Sequence, residues 1–278
     1  MERWLDEEFE SPAKDAVLDA IAGKRLNRMQ WRRLIGLYAS QFLRTPAYYV
    51  RHKEQWAAEM QRDLLEMRDH MLTHLPKCKD IDSDFNVVVG ENGFPLRCTI
   101  RREEGLRRSI HIQHVTGRKF WVWAIRQGLR PTGVLSDLEQ YRWSILNAPV
   151  DFQWFLTDNP AVCIRRRADG TQTLDGGWGA LDSKLMLPLS PKHLLYCHVG
   201  ADAGEQYPVV HPLVAVHLRS GLADAALGSF YSPVKDSLLA TYRPRKINRI
   251  RYQDEANQWA AFGKEQSRAE RFEVIAEP

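Results

Sequence analysis

Apolar residues change their period along this chain, and that change narrows its fold more than any other feature. Up to Pro76 they recur every three or four positions, the spacing of one helix face. From Trp143 onward they come in short runs bounded by turn residues, as strands do. A chain with helices first and strands afterwards is expected to be α+β: a helical N-terminal half packed on a small, mostly antiparallel sheet from the C-terminal half.

The helical reading starts at Ser11-Pro12, where a capping hydroxyl precedes a proline at the first helical position. Val17, Leu18 and Ile21 follow at helical spacing, and Gly23 ends the run. A second helix is expected from near Asn27, with Trp31, Leu34, Ile35, Tyr38 and Phe42 on one face. Thr45-Pro46 predicts a third helix, running to Pro76. Short helices are expected over Phe120 to Leu129 and from Ser136 to near Tyr141, and a longer one from His211-Pro212 to Gly228. The strand candidates are Asn86 to Val89, Leu96 to Ile100, Trp143 to Leu146, Phe152 to Leu156 and Ala161 to Arg165. Leu185 to Leu187, Leu194 to Val199 and Phe230-Tyr231 complete the set. Asp169-Gly170 has the composition of a hairpin turn. With no internal repeat or low-complexity linker, one domain is expected over residues 1–252. Its helical part spans 1–142 and its strand-rich part 143–232, and a polar tail occupies 253–278.

Composition excludes other classes. Hydrophobic residues make up 44%, which argues against disorder, and no apolar stretch reaches the roughly eighteen residues of a membrane span. The opening Glu2 to Glu8 lacks the basic start and apolar core of a secretory signal, so a cytoplasmic location is expected. Cys78, Cys98, Cys163 and Cys197 contain no C-x-x-C pair and fit no zinc spacing, which suits buried thiols in a reducing compartment. No cofactor is assigned.

Four short motifs carry a resemblance: Gln41-Phe42-Leu43-Arg44-Thr45-Pro46, Arg142-Trp143-Ser144-Ile145-Leu146, Leu156-Thr157-Asp158-Asn159-Pro160 and Leu187-Pro188-Leu189-Ser190-Pro191. In this order the chain resembles a widespread bacterial family defined only as a domain of unknown function. That family has a helical R-T-P segment, a strand ending in T-S-D-N-P and a later P-L-S-P. Two departures stand out. Leu156-Thr157 replaces the family's Thr-Ser, and the H-x-V-P-x-x-Y-L segment with which family members usually open is absent from this sequence. The resemblance implies a fold and brings no established reaction with it.

Asp158 and Asn159 are the candidate catalytic residues. They follow an apolar strand, where polar groups emerge into a cleft, and an Asp there can act as base or metal ligand while Asn orients a carbonyl or phosphate. The competing reading is an Asx turn. Arg44 is the candidate anion holder, since a guanidinium makes two parallel bonds to carboxylate or phosphate; the competing reading is a helix-end salt bridge. Ser190, with His193 nearby, is the second candidate ligand-binding residue, although Ser-Pro-Lys-His is no nucleophile elbow and Ser-Pro usually marks a turn.

No metal site is expected. His111 and His114 share a side only on a helix, and His70 and His74 lack the Glu of H-E-x-x-H. Asp80, Asp82, Asp84 and Glu91 imitate a calcium loop, but Phe85 stands where that loop requires Gly.

Three functional readings follow. The first is an enzyme-like protein, or a binder of an anionic small molecule, with its polar cleft near Asp158. The second is a nucleic-acid-binding protein or nuclease. It rests on residues 97–130, with nine basic and two acidic side chains and Phe120, Trp121 and Trp123 among them, and on 243–251, with five basic side chains and no acid. The net charge of +4 and the lack of a nucleic-acid motif favour a solvated face instead. The third is a scaffold in which the polar motifs only cap and turn the chain. No membrane partner is expected.

Overall fold

In the computed structural model the described residues are 2–45, 118–130, 133–166, 172–174, 177–201, 204–226 and 229–234. They also include the strands at 85–87, 96–102 and 108–114 and scattered positions over 48–70 and 239–264. The helices are α1 (Glu2–Leu5), α2 (Ser11–Ile21), α3 (Arg28–Arg44), α4 (Arg118–Gly128), α5 (Val134–Glu139) and α6 (Pro212–Ala225). The strands are β1 (Phe85–Val87), β2 (Leu96–Arg102), β3 (Arg108–His114), β4 (Trp143–Asn147) and β5 (Leu156–Thr157). They continue with β6 (Val162–Arg166), β7 (Gln172–Thr173), β8 (Lys184–Ser190), β9 (His193–His198) and β10 (Phe230–Tyr231). The architecture is α+β. Contacts divide the chain into two compact units, residues 1–47 with 127–253 and residues 48–126 with 254–278.

In the first unit, β4, β9, β8, β6 and β7 pair in that order, antiparallel at every step, into a five-stranded sheet. Successive side chains of a strand point to opposite faces, and here each face meets a helix. Leu146, Val162, Ile164, Met186 and Leu194 form one core cluster with Ala215, Leu218 and Leu222 of α6. Gly221 lets that helix lie close, since a Cβ there would stand 2.6 Å from Ile164 Cδ1. On the other face lie Ile145, Cys163, Leu185, Leu195 and Cys197, all buried. Tyr38 of α3 is fully buried there and donates its hydroxyl to Val162 O at 3.1 Å. Burial, then the neighbouring Cys163 and Cys197 thiols, push the Tyr38 hydroxyl well above the tyrosine range. The two thiols are separated by Leu185, which is in register with both, and burial pushes Cys197 up to about 12. The second unit contains the antiparallel sheet β1-β2-β3, with Thr99 opposite His111 and Leu96 opposite His114.

Two local expectations, the helix start at Ser11 and the strand over Phe152 to Phe155, are corrected. Ser11 does not cap a new helix, because the helical run is already under way from Glu2 through a π-helical turn at Asp6–Glu10. The Ser11 N–H bonds back to Asp6 O, and its hydroxyl donates to Asp6 Oδ1 at 3.0 Å. The widened turn accommodates Pro12, which has no N–H to give. Phe152 to Phe155 is not strand, because its backbone partners lie in turns: Phe152 N donates to Pro149 O and Trp154 N to Pro191 O at 2.8 Å. Residues 206–210 run along the outer edge of β4, where Ile145 N donates to Gln206 O and Asn147 N to Pro208 O, around the parallel bridge Asn147↔Val209. The Arg108–His114 segment is a strand. Of the expected third helix only scattered positions are described, and Asp169-Gly170 and Gly228 lie outside the described residues. Among the described residues, no helix is long and apolar enough to cross a membrane.

Candidate functional site

Thr157, Asp158 and Asn159 form one tight turn at the end of β5. The Thr157 hydroxyl donates to Asn159 O at 2.7 Å and accepts the Asn159 N–H at 3.2 Å. Asn159 is buried, and its amide donates to Ala225 O, the last residue of α6, at 3.1 Å. Asp158 is exposed; its Oδ2 accepts the Ser229 N–H at 3.0 Å, while its own N–H donates to Ser229 O at 3.3 Å. The turn thus ties β5 to the connection that leads from α6 into β10, the strand paired with β5.

Arg44 stands at the C-terminal end of α3, where a cation suits the helix dipole. Its Nη1 meets Glu10 Oε1 at 2.5 Å and Glu2 Oε2 at 3.4 Å. Glu10 is held a second time by Gln41 Nε2, at 3.1 Å. The guanidinium therefore closes on the first helical segment and forms no ion pair with Asp158. Thr45, expected to cap a following helix, donates its hydroxyl to Phe42 O at 3.1 Å.

Ser190 lies at the tight turn joining β8 to β9, beside a register irregularity between Pro188 and Ser190. Its Oγ accepts the N–H groups of Lys192 and His193, both at 3.1 Å, and lies 2.8 Å from His193 Nδ1. A hydroxyl oxygen has two lone pairs and one proton. With two N–H groups on the lone pairs, the proton is left for Nδ1, which requires a neutral imidazole. Burial holds the His193 imidazole below its ordinary value, in keeping with the neutral form.

The structure therefore brings Asp158 together with Asn159, and Ser190 with His193, but leaves Arg44 with acids of its own helical layer. Among the described residues, no group of three or more His, Cys, Asp or Glu could hold a metal ion. His111 and His114 fall in β3 rather than on a helix, and Phe85 of the calcium-like run falls in β1. His74, the acids Asp80, Asp82, Asp84 and Glu91, and the basic stretch 243–251 lie outside the described residues.

Two features escaped the sequence reading. Arg219 is buried, with its guanidinium carbon 4.5 Å from the centre of the Phe152 ring. Its position offered a signal: it sits four residues after Ala215 and three before Leu222, on the apolar side of α6. The second is a half-open cavity of about 470 Å³ beside the first turns of α3, lined by Arg28, Met29, Trp31, Arg32, Ile35 and Glu139. Asn27 caps that helix end, accepting the Gln30 N–H at 2.9 Å while Gln30 Oε1 accepts the Asn27 N–H at 3.0 Å. Across the cavity, Arg32 Nε donates to Glu139 Oε1 at 2.8 Å. Arg28 has no ion pair or hydrogen bond among the described residues.

Fold and site together define an α+β protein with a helix-covered antiparallel sheet and polar turns at the strand ends. The chain belongs to the family described as Protein of unknown function (DUF4238), which matches residues 1–207. No curated protein and no solved structure matches it.

Proposed function

We propose that this chain is a binding protein whose shared polar motifs hold the fold, with its recognition chemistry away from Asp158. The observation that carries this reading is the engagement of the Thr157–Asp158–Asn159 turn: each side chain bonds to backbone, and Asn159 and Asp158 clamp the end of α6 and the start of β10. Arg44, the candidate anion holder, is paired with Glu10 and Glu2. Ser190 Oγ likewise accepts two backbone N–H groups of its own turn, which suits a role in holding that turn.

Asp158→Ala tests the reading by thermal melting. Losing the acceptor for the Ser229 N–H is expected to cost about 1 kcal/mol, a fall in Tm of roughly 2–4 °C for a chain of this size. A variant that melts with the parent overturns the latch role and returns Asp158 to the list of reactive groups.

A further inference from the structure

We propose that the cavity beside the first turns of α3 binds a small molecule with a flat aromatic body and a single carboxylate. This rests on the binding reading above and gives it a place and a ligand class.

The size is suitable: about 470 Å³ falls within the range of roughly 300–1,000 Å³ common to small-molecule sites. The apolar part is open to a ligand. Met29 is 57% exposed although it lines the cavity, the Trp31 ring is half-buried, and Ile35 beneath them is buried. An aromatic body laid on Trp31 and Met29 removes that surface from water, with ring stacking in addition.

The charged part selects the other end of the ligand. Arg28 and Arg32 are four residues apart on one face of α3. Glu139 holds Arg32 by Nε, which orients the guanidinium, and the terminal nitrogens of Arg32 make no hydrogen bond to the described residues. Two cations and one anion leave the lining with one net positive charge, matching a monoanion. Among the described residues Glu139 accounts for the place of Arg32, and none accounts for that of Arg28. Like charges four apart on a helix repel, and cations at a helix N-terminus oppose its dipole. The first turn of α3 contains no acid to relieve them. A bound carboxylate between Arg28 and Arg32 turns both unfavourable contacts into charge-assisted hydrogen bonds.

The test is calorimetric titration of the full chain with 2-naphthoate and with its uncharged analogue 2-naphthamide. The naphthoate is expected to bind at least about tenfold more tightly than the amide, the worth of one charge-assisted bond. Arg28→Gln should weaken naphthoate about tenfold and leave the amide unchanged. Glu139→Gln should tighten naphthoate by removing the competing carboxylate. Arg28 is exposed and has no framework bond among the described residues, so its variant is expected to melt with the parent. Equal affinity for both compounds, undetectable naphthoate binding, or naphthoate affinity unaffected by Arg28→Gln overturns the proposal. The latch reading is judged by the melting of Asp158→Ala, so either idea can fail while the other survives.

Discussion

The two ends of α3 use the same residue type in opposite ways. Arg44, at the C-terminal end, is 29% exposed and pairs with Glu10 and Glu2. Arg28, at the N-terminal end, is exposed, stands against the dipole, and has no partner among the described residues. A cation enclosed with an acid belongs to the framework; a cation placed where the helix disfavours it, at the rim of an open cavity, is available to something else. An arginine's role therefore follows from its enclosure and its end of the helix, neither of which a short motif reveals.

The largest expected effect tests whether enclosure sets the cost. Asn159 is more enclosed than Arg44, and its amide satisfies Ala225 O at the end of α6. Asn159→Ala should destabilise by about 2–3 kcal/mol, because a buried carbonyl is left without a donor. Chemical denaturation measures it, and a loss under 1 kcal/mol breaks the link between enclosure and cost.

Arg44→Ala comes next, at about 1 kcal/mol, since its pair with Glu10 is partly screened by solvent. The companion Glu10→Gln in a double-mutant cycle should recover most of that energy as coupling. Additive losses would show that the pair contributes nothing and that Arg44 is no more framework than Arg28.

A pH-dependent effect of similar or smaller size is expected at the Ser190 turn. Burial lowers the folded-state value of His193 below the ordinary 6.5. The unfolded chain then binds more protons in the window between the two values. The stability contribution is complete above about 6.5 and is lost as pH falls through the lower, folded value. Protonation also removes the Nδ1 acceptor of the Ser190 hydroxyl. His193→Asn should flatten the fall of Tm between pH 7 and 5 relative to the parent, and an unchanged slope removes His193 from the account.

The smallest effect sharpens the comparison most. Arg28→Ala should leave stability unchanged or raise it by a few tenths of a kcal/mol, as relief from the dipole and from Arg32 predicts. A loss equal to that of Arg44→Ala would erase the difference between the two ends.

Much of the α+β framework was legible because its signals are local. The Asn27 cap of α3 works through Gln30, three residues away, and the β8–β9 pair flanks Ser190-Pro191, so periodicity and turn chemistry located both. The failures came where distant partners decide. Ser11-Pro12 has the local pattern of a helix start, yet the turn before it is already π-helical and continuous. Phe152 to Phe155 alternates like a strand, but its N–H groups bond to Pro149 and Pro191. For the candidate site, the Asx-type turn at Asp158 was readable as one of two alternatives; its clamp on Ala225 and Ser229, 66 and 71 residues away, was not.

By itself, the sequence determined most of the helices and strands among the described residues, and that polar groups gather at Asp158-Asn159 and Ser190. Those properties depend on neighbours within one or two turns of chain. Only the tertiary structure decided which of these polar groups are engaged by the framework and which remain open. Burial and pairing depend on groups far apart in sequence: Glu10 reaches Arg44 across 34 residues and Glu139 reaches Arg32 across 107, while Arg28, on the same helix, is reached by neither.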